Sequence, residues 1–143
     1  MRSKTISDGT QKTYALVFDT GDEVMDELER FARTNGLTAA QITGIGAFRD
    51  VVLGYFDLDA KDYRRIPIAE QVEVVSLIGD VACHGDEPKL HLHVVVAKRD
   101  GSAWGGHLMS AHVRPTLELI VTESPAHLRR RTDPATGLAL IEV

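Results

Sequence analysis

Two imidazoles one residue apart, His91 and His93, and a third at His107 are the side chains of this sequence best suited to chemistry. Side chains alternate across a strand with period two, so His91 and His93 share one face if Leu90–Lys98 is extended. Neutral imidazole nitrogens are good ligands for borderline divalent ions, zinc (Zn²⁺) first among them. Three such ligands leave the charge of the ion uncompensated. They also leave a coordination position open, which marks a catalytic or ligand-exchanging centre. Water held there would have a pKa of about 7. Glu73, Asp80 and Glu118, or a group from another subunit, are candidates for a fourth ligand, and the sequence does not choose among them.

Whether His107 joins the other two depends on a turn. Leu90–Lys98 and Ala103–Met109 both read as strands, joined through Arg99-Asp100-Gly101. A two-residue loop, Asp100-Gly101, would set His107 opposite Val94, pointing away from His91 and His93. A three-residue loop, Arg99-Asp100-Gly101, sets His107 directly opposite His93. The three-residue form is preferred because it demands a left-handed residue, normally glycine, at its last position. Gly105-Gly106 then leaves room for a ligand or a neighbouring backbone beside His107. His84 reads as a loop residue that can neighbour the site, and His112 and His127 as surface groups. Arg114, ahead of Pro115, is a candidate for binding a substrate carboxylate.

The elements that must position these groups follow from periodicity. Tyr14, Leu16 and Phe18 alternate within a strand over Lys12–Asp19. Thr20 and Glu23 have capping-box spacing, and Val24, Leu28, Phe31 and Ala32 form the apolar stripe of a helix that Asn35-Gly36 ends. Further strand-like runs cover Ala40–Ala47, Val51–Leu58, Tyr63–Ile66, Val72–Ile78 and Thr116–Thr122, with a last edge strand over Leu138–Val143. Ser124-Pro125 can open a short second helix through Arg131, whose arginines would suit its C-terminal end. Residues 1–10 are polar and expected to be frayed. The expectation is a single α+β domain over residues 1–143. It comprises an antiparallel, barrel-like sheet, one main flanking helix and a short C-terminal helix. Gly44-Ile45-Gly46 is no dinucleotide fingerprint, because Arg49 stands where a third glycine is required; bulges or close packing explain the pair.

The net charge of −5 argues against a surface dominated by phosphate contacts, although Arg64-Arg65 and Arg129–Arg131 can form local basic patches. Cys83 is the one cysteine, so no internal disulfide forms. No signal-like segment and no membrane-length apolar run is present, and the expected location is cytoplasmic.

Several segments together resemble a known family. They are Gln41-Ile42-Thr43-Gly44-Ile45-Gly46-Ala47, Leu90-His91-Leu92-His93-Val94-Val95, Gly105-Gly106-His107-Leu108 and Thr116-Leu117-Glu118-Leu119-Ile120. The chain resembles the prokaryotic branch of the plants-and-prokaryotes-conserved (PPC) domain family, in order from Thr13 to Val143. The resemblance implies an antiparallel sheet with a flanking helix, a homotrimer, and the DNA-binding label that members often carry. In plants the domain follows an Arg-Gly-Arg-Pro AT-hook, which this sequence lacks. The histidine pattern is also similar, more distantly, to the zinc site of acetolactate decarboxylase, from which only the three ligands carry over. The resulting expectation is a homotrimeric zinc-binding domain with a DNA-binding or transcription-associated regulatory role. The alternative is a metal-dependent enzyme or small-molecule-binding protein with an open three-histidine centre. A third reading is a purely structural trimer whose histidines pack without metal.

Overall fold

A computed structural model describes residues 1–124 and 126–143. Alternation of apolar and polar residues accounts for most of it. In β2 (Lys12–Phe18), Tyr14, Leu16 and Phe18 are buried and their neighbours are not. The same alternation buries Leu90, Leu92, Val94 and Val96 of β6 (Glu87–Ala97), which turns His91 and His93 to the opposite face.

The remaining elements are β1 (Arg2–Asp8), α1 (Val24–Thr34), β3 (Ala39–Asp57), β4 (Asp62–Ile68), β5 (Val72–His84), β7 (Ala103–Glu123), β8 (Arg129–Thr132) and β9 (Ala139–Glu142). All nine strands belong to one sheet, with the path β1-β2-β7-β3-β5-β8-β9; β4 pairs with β3, and β6 bridges β5 and β7. The hydrogen-bonded neighbours thus run β3–β5–β6–β7 and return to β3. Every pairing is antiparallel except β5 with β8. The class is α+β, mostly sheet, with α1 its single helix among the described residues.

Helix α1 buries Val24, Leu28, Phe31 and Ala32, and Gly36 takes the left-handed conformation (φ 61°) that ends it. Its N-cap is Glu23, not Thr20. The Glu23 carboxylate accepts from Asp26 N at 2.8 Å and from Ala111 N at 3.0 Å, tying the helix to β7, while Thr20 Oγ1 donates to Pro115 O.

Two sequence runs on either side of Phe48 join as β3, and two others join as β7. Register shifts at Gly46/Phe48, Phe48/Asp50 and Val52/Leu53 let these long strands bend while staying paired. At Gly46 the carbonyl oxygen of Thr116 lies 2.4 Å from where a Cβ would stand, so the glycine pair serves close backbone packing.

Two expectations are corrected. Residues 1–10 are not frayed: Arg2–Asp8 pair with β2 through backbone hydrogen bonds, although their side chains are exposed. The short C-terminal helix does not form. Arg129–Thr132 are β8, whose residues 129 and 130 pair with the end of β5, and burial picks out Arg130 alone. That long-range ladder, the Arg130–Asp80 ion pair and the β8–β9 hairpin outweigh the local helix signal. Pro125, placed at the start of that helix, lies outside the described residues. Leu138–Val143 does contain an edge strand, β9. No helix among the described residues is long and apolar enough to cross a membrane.

Candidate metal centre

The hairpin between β6 and β7 has the three-residue loop. Lys98 and Ser102 close it (Lys98 N to Ser102 O, 2.9 Å), Gly101 N donates to Lys98 O, and Gly101 has φ 82°. The register that follows pairs His93 with His107 and Val94 with Gly106. His91, His93 and His107 therefore meet on one face, with ring centroids 5.1 to 5.5 Å apart. Each ring offers a nitrogen within 4.8 Å of the other two. His91 Nε2 and His93 Nε2 are 3.2 Å apart. Two ligands of a tetrahedral zinc ion stand about 3.3 Å apart when each Zn–N bond is about 2.05 Å. The His91–His93 pair already has this spacing.

Burial and nearby positive charge favour the neutral form of His91 and His107, the form that binds a metal. Burial lowers the pKa of His91, helped by nearby Arg130 and His93 and opposed by Asp80. Burial, with His91, His93 and Lys89 adding to it, takes His107 down to about 4. His107 Nδ1 is buried and has no hydrogen-bond partner among the described residues. An unpartnered ring nitrogen on one of three clustered histidines is a group that a bound cation can satisfy, so the residues fit a divalent metal.

Neighbouring residues hold His107 in place. Gly54 of β3 lies opposite both His107 and Arg65. Having no Cβ, Gly54 lets the Tyr63 ring lie across it; a Cβ would stand 2.8 Å from Tyr63 Cδ1. Tyr63 stacks on His107 with centroids 4.8 Å apart and planes 29° apart. Gly106 admits the Gly54 carbonyl, 2.7 Å from where its Cβ would be, so the room before His107 is used by a neighbouring backbone.

A cavity of about 520 Å³ opens beside the cluster, with His91 and His107 in its wall. Arg130, buried on β8, also lines it. The Arg130 guanidinium donates to Asp80 Oδ1 and to Ala139 O (2.8 Å). Asp80 faces His91 across the β5–β6 ladder but is held by Arg130. Glu73 and Glu118 flank a separate groove with Ile45 and Thr116, so neither joins the histidines. Arg114 does not join them either: it is exposed, seven residues beyond His107 on β7, and absent from the cavity wall. His84 does line the cavity. His112 is instead engaged by Asp50 (2.7 Å) and His127 by Thr38 (2.6 Å).

Sequence reasoning missed Tyr63, Lys89 and Arg130. Lys89 was legible, because it precedes His91 by two residues and must share its face. Arg130 was hidden by the helix reading. Tyr63 needs the β3–β4 register, which sequence does not supply.

The chain is similar to several known proteins. A profile of the Plants and Prokaryotes Conserved (PCC) domain matches residues 6–125. The chain is 32% identical over 139 residues, 95% of its length, to the bifunctional protein GlmU of a Synechococcus strain, and spans 21% of that protein. A metal-containing protein from Archaeoglobus fulgidus is 37% identical with a TM-score of 0.84, over 92% of this chain and 94% of that one. A candidate DNA-binding protein from Bacteroides thetaiotaomicron is 27% identical with a TM-score of 0.88, over 98% and 96%. Acetolactate decarboxylase from Bacillus subtilis shares the fold more distantly, at 14% identity and a TM-score of 0.55, over 77% and 51%.

Proposed function

The chain belongs to the Plants and Prokaryotes Conserved domain family, and on that premise we propose that it binds a divalent metal, zinc first, on His91, His93 and His107 and uses the open position to hold a small molecule. The observation that carries this reading is the His93–His107 register, which brings three imidazoles together beside a concave cavity lined by His91 and His107. A bound ion would supply Lewis acidity and activate water or a ligand oxygen. The chain's own residues do the rest: Tyr63 and Gly54 fix the His107 ring, and burial disfavours protonation of His91 and His107. The A. fulgidus relative described as metal-containing supports the reading.

Self-association into a homotrimer is part of the proposal. Ile78 lies opposite His93, Val95 follows two residues later, and Ile120 lies across Thr43 on the same face; they are 56%, 40% and 42% exposed. Such a stripe on an outer sheet face suits burial against further copies of the chain. Light scattering should then give three times the 15.7 kDa chain mass.

Co²⁺ substitution tests the metal reading. The protein should take up Co²⁺ with a visible spectrum that changes on adding azide, since an open position exchanges its ligand. A spectrum indifferent to azide would mean a closed, structural centre.

A second reading, a DNA-associated regulatory role in the cytoplasm, is favoured by relatives described as DNA-binding candidates. It requires a basic surface on the assembled protein despite the chain's net charge of −5. Duplex binding that weakens steeply with salt would support it, and no gel shift at low salt would remove it.

A further inference from the structure

The wall of the cavity is basic in an acidic protein. Lys89 precedes His91 by two residues on β6, so it stands on the histidine face. Arg65 lies opposite Gly54, which lies opposite His107, so it stands on that face as well. Arg130 enters from β8, and its Nε is buried with no hydrogen-bond partner among the described residues. All three line the cavity, against one lining carboxylate, Glu29. Neither Lys89 nor Arg65 has a salt-bridge partner among the described residues. Lys89 and Arg65, unpaired beside the Arg130–Asp80 ion pair and with the whole chain net negative, focus positive potential there.

The wall also has apolar side chains. Met25 and Leu108 contribute on one side, and Leu138 and Leu140 of the C-terminal segment on another. Arg130, Thr132 and residues 137–140 thus form part of the wall while lying beyond the segment that the family profile matches, 6–125. A ligand complementary to this cavity carries an anionic group and a short apolar body, and fits within about 520 Å³.

We propose that the cavity binds a small organic acid whose anionic group is held by Lys89, Arg65 and Arg130, with the C-terminal β8–β9 hairpin shaping the apolar end. This rests on the small-molecule reading of the same site, but the cations act whether or not the ion is bound. A guanidinium matches a planar carboxylate better than a point charge does. A tetrahedral phosphate shares the charge without the apolar body, and the test separates the two.

The full chain is titrated calorimetrically, metal-free and Co²⁺-loaded, with butyrate, its neutral isostere butyramide, and inorganic phosphate. Butyrate should bind at least about tenfold more tightly than butyramide, and more tightly than phosphate, in both forms. The Lys89→Gln/Arg65→Gln double variant changes two exposed residues and leaves the buried Arg130–Asp80 pair intact. It should lose butyrate affinity by about tenfold with Co²⁺ uptake unchanged. Butyramide binding as tightly as butyrate, or a double variant that binds butyrate like the parent, overturns the proposal. Phosphate binding more tightly than butyrate overturns the organic-acid assignment. Failure of Co²⁺ to bind while the metal-free protein still selects butyrate overturns the metal reading alone. Failure of the metal-free protein to select butyrate overturns the anion site, whatever the metal does.

Discussion

At the scale of single residues, the protonation of His107 links the site to stability. Its pKa in the folded protein is about 4, against about 6.5 for an ordinary histidine. Between these values the unfolded chain holds a proton that the folded protein refuses. The stability of the metal-free protein should therefore be fully present above pH 6.5 and decline as pH falls towards 4. Urea denaturation across that window should show the decline, and His107→Gln should flatten it; an equal slope in both proteins would assign the acid sensitivity elsewhere. Tyr63 acts on the same ring. Removing its stack in Tyr63→Ala should weaken Zn²⁺ binding by a few-fold to about tenfold, whereas Tyr63→Phe should change it little. Competition with a chromogenic chelator reads both values. Equal loss in the two variants would place the effect in the hydroxyl group instead of the stacked ring.

At the scale of elements, the site depends on the β6–β7 hairpin and the glycine that shapes it. Gly101 sits at φ 82°, where an alanine costs about 1–2 kcal/mol. Gly101→Ala should lower stability by that order and weaken metal binding, while Gly101→Asn, whose side chain tolerates the left-handed region, should do less of both. Thermal unfolding and metal titration check this, and Gly101→Ala with unchanged affinity would show that the turn does not hold the register. This hairpin was legible in the sequence because one loop length satisfied both the glycine and the strand alternation. Helix α1 was legible through Val24, Leu28, Phe31 and Ala32, but its cap was not: Glu23 is chosen by a long-range bond to Ala111 N as well as by the local one to Asp26 N. Strands β1 and β8 were hidden for a related reason. Exposed β1 is held by backbone pairing and a few surface ion pairs such as Arg2–Asp19, which leaves no apolar pattern to read. The arginines of β8 suited a helix end locally and a strand only once Asp80 and β5 were beside them. Arg130, distant from the histidines in sequence, reaches the cavity wall through β8, a wall that does not include Arg114.

At the scale of the whole molecule, the sheet separates two tasks by side-chain alternation. One face of β6 supplies Leu90, Leu92, Val94 and Val96 to the core, and the other carries Lys89, His91 and His93. Packing and chemistry can therefore change independently along one strand. The chain carries a net charge of −5, while the cavity places Lys89, Arg65 and Arg130 beside the histidines. The most direct test of this account is metal analysis of untagged protein, for the parent chain and for His93→Ala. His93 is exposed, so its loss should spare the fold. The account predicts about one divalent ion per chain in the parent, by the three-ligand rule for an open site, and near-complete loss in the variant. Equal metal content in the two proteins would contradict it.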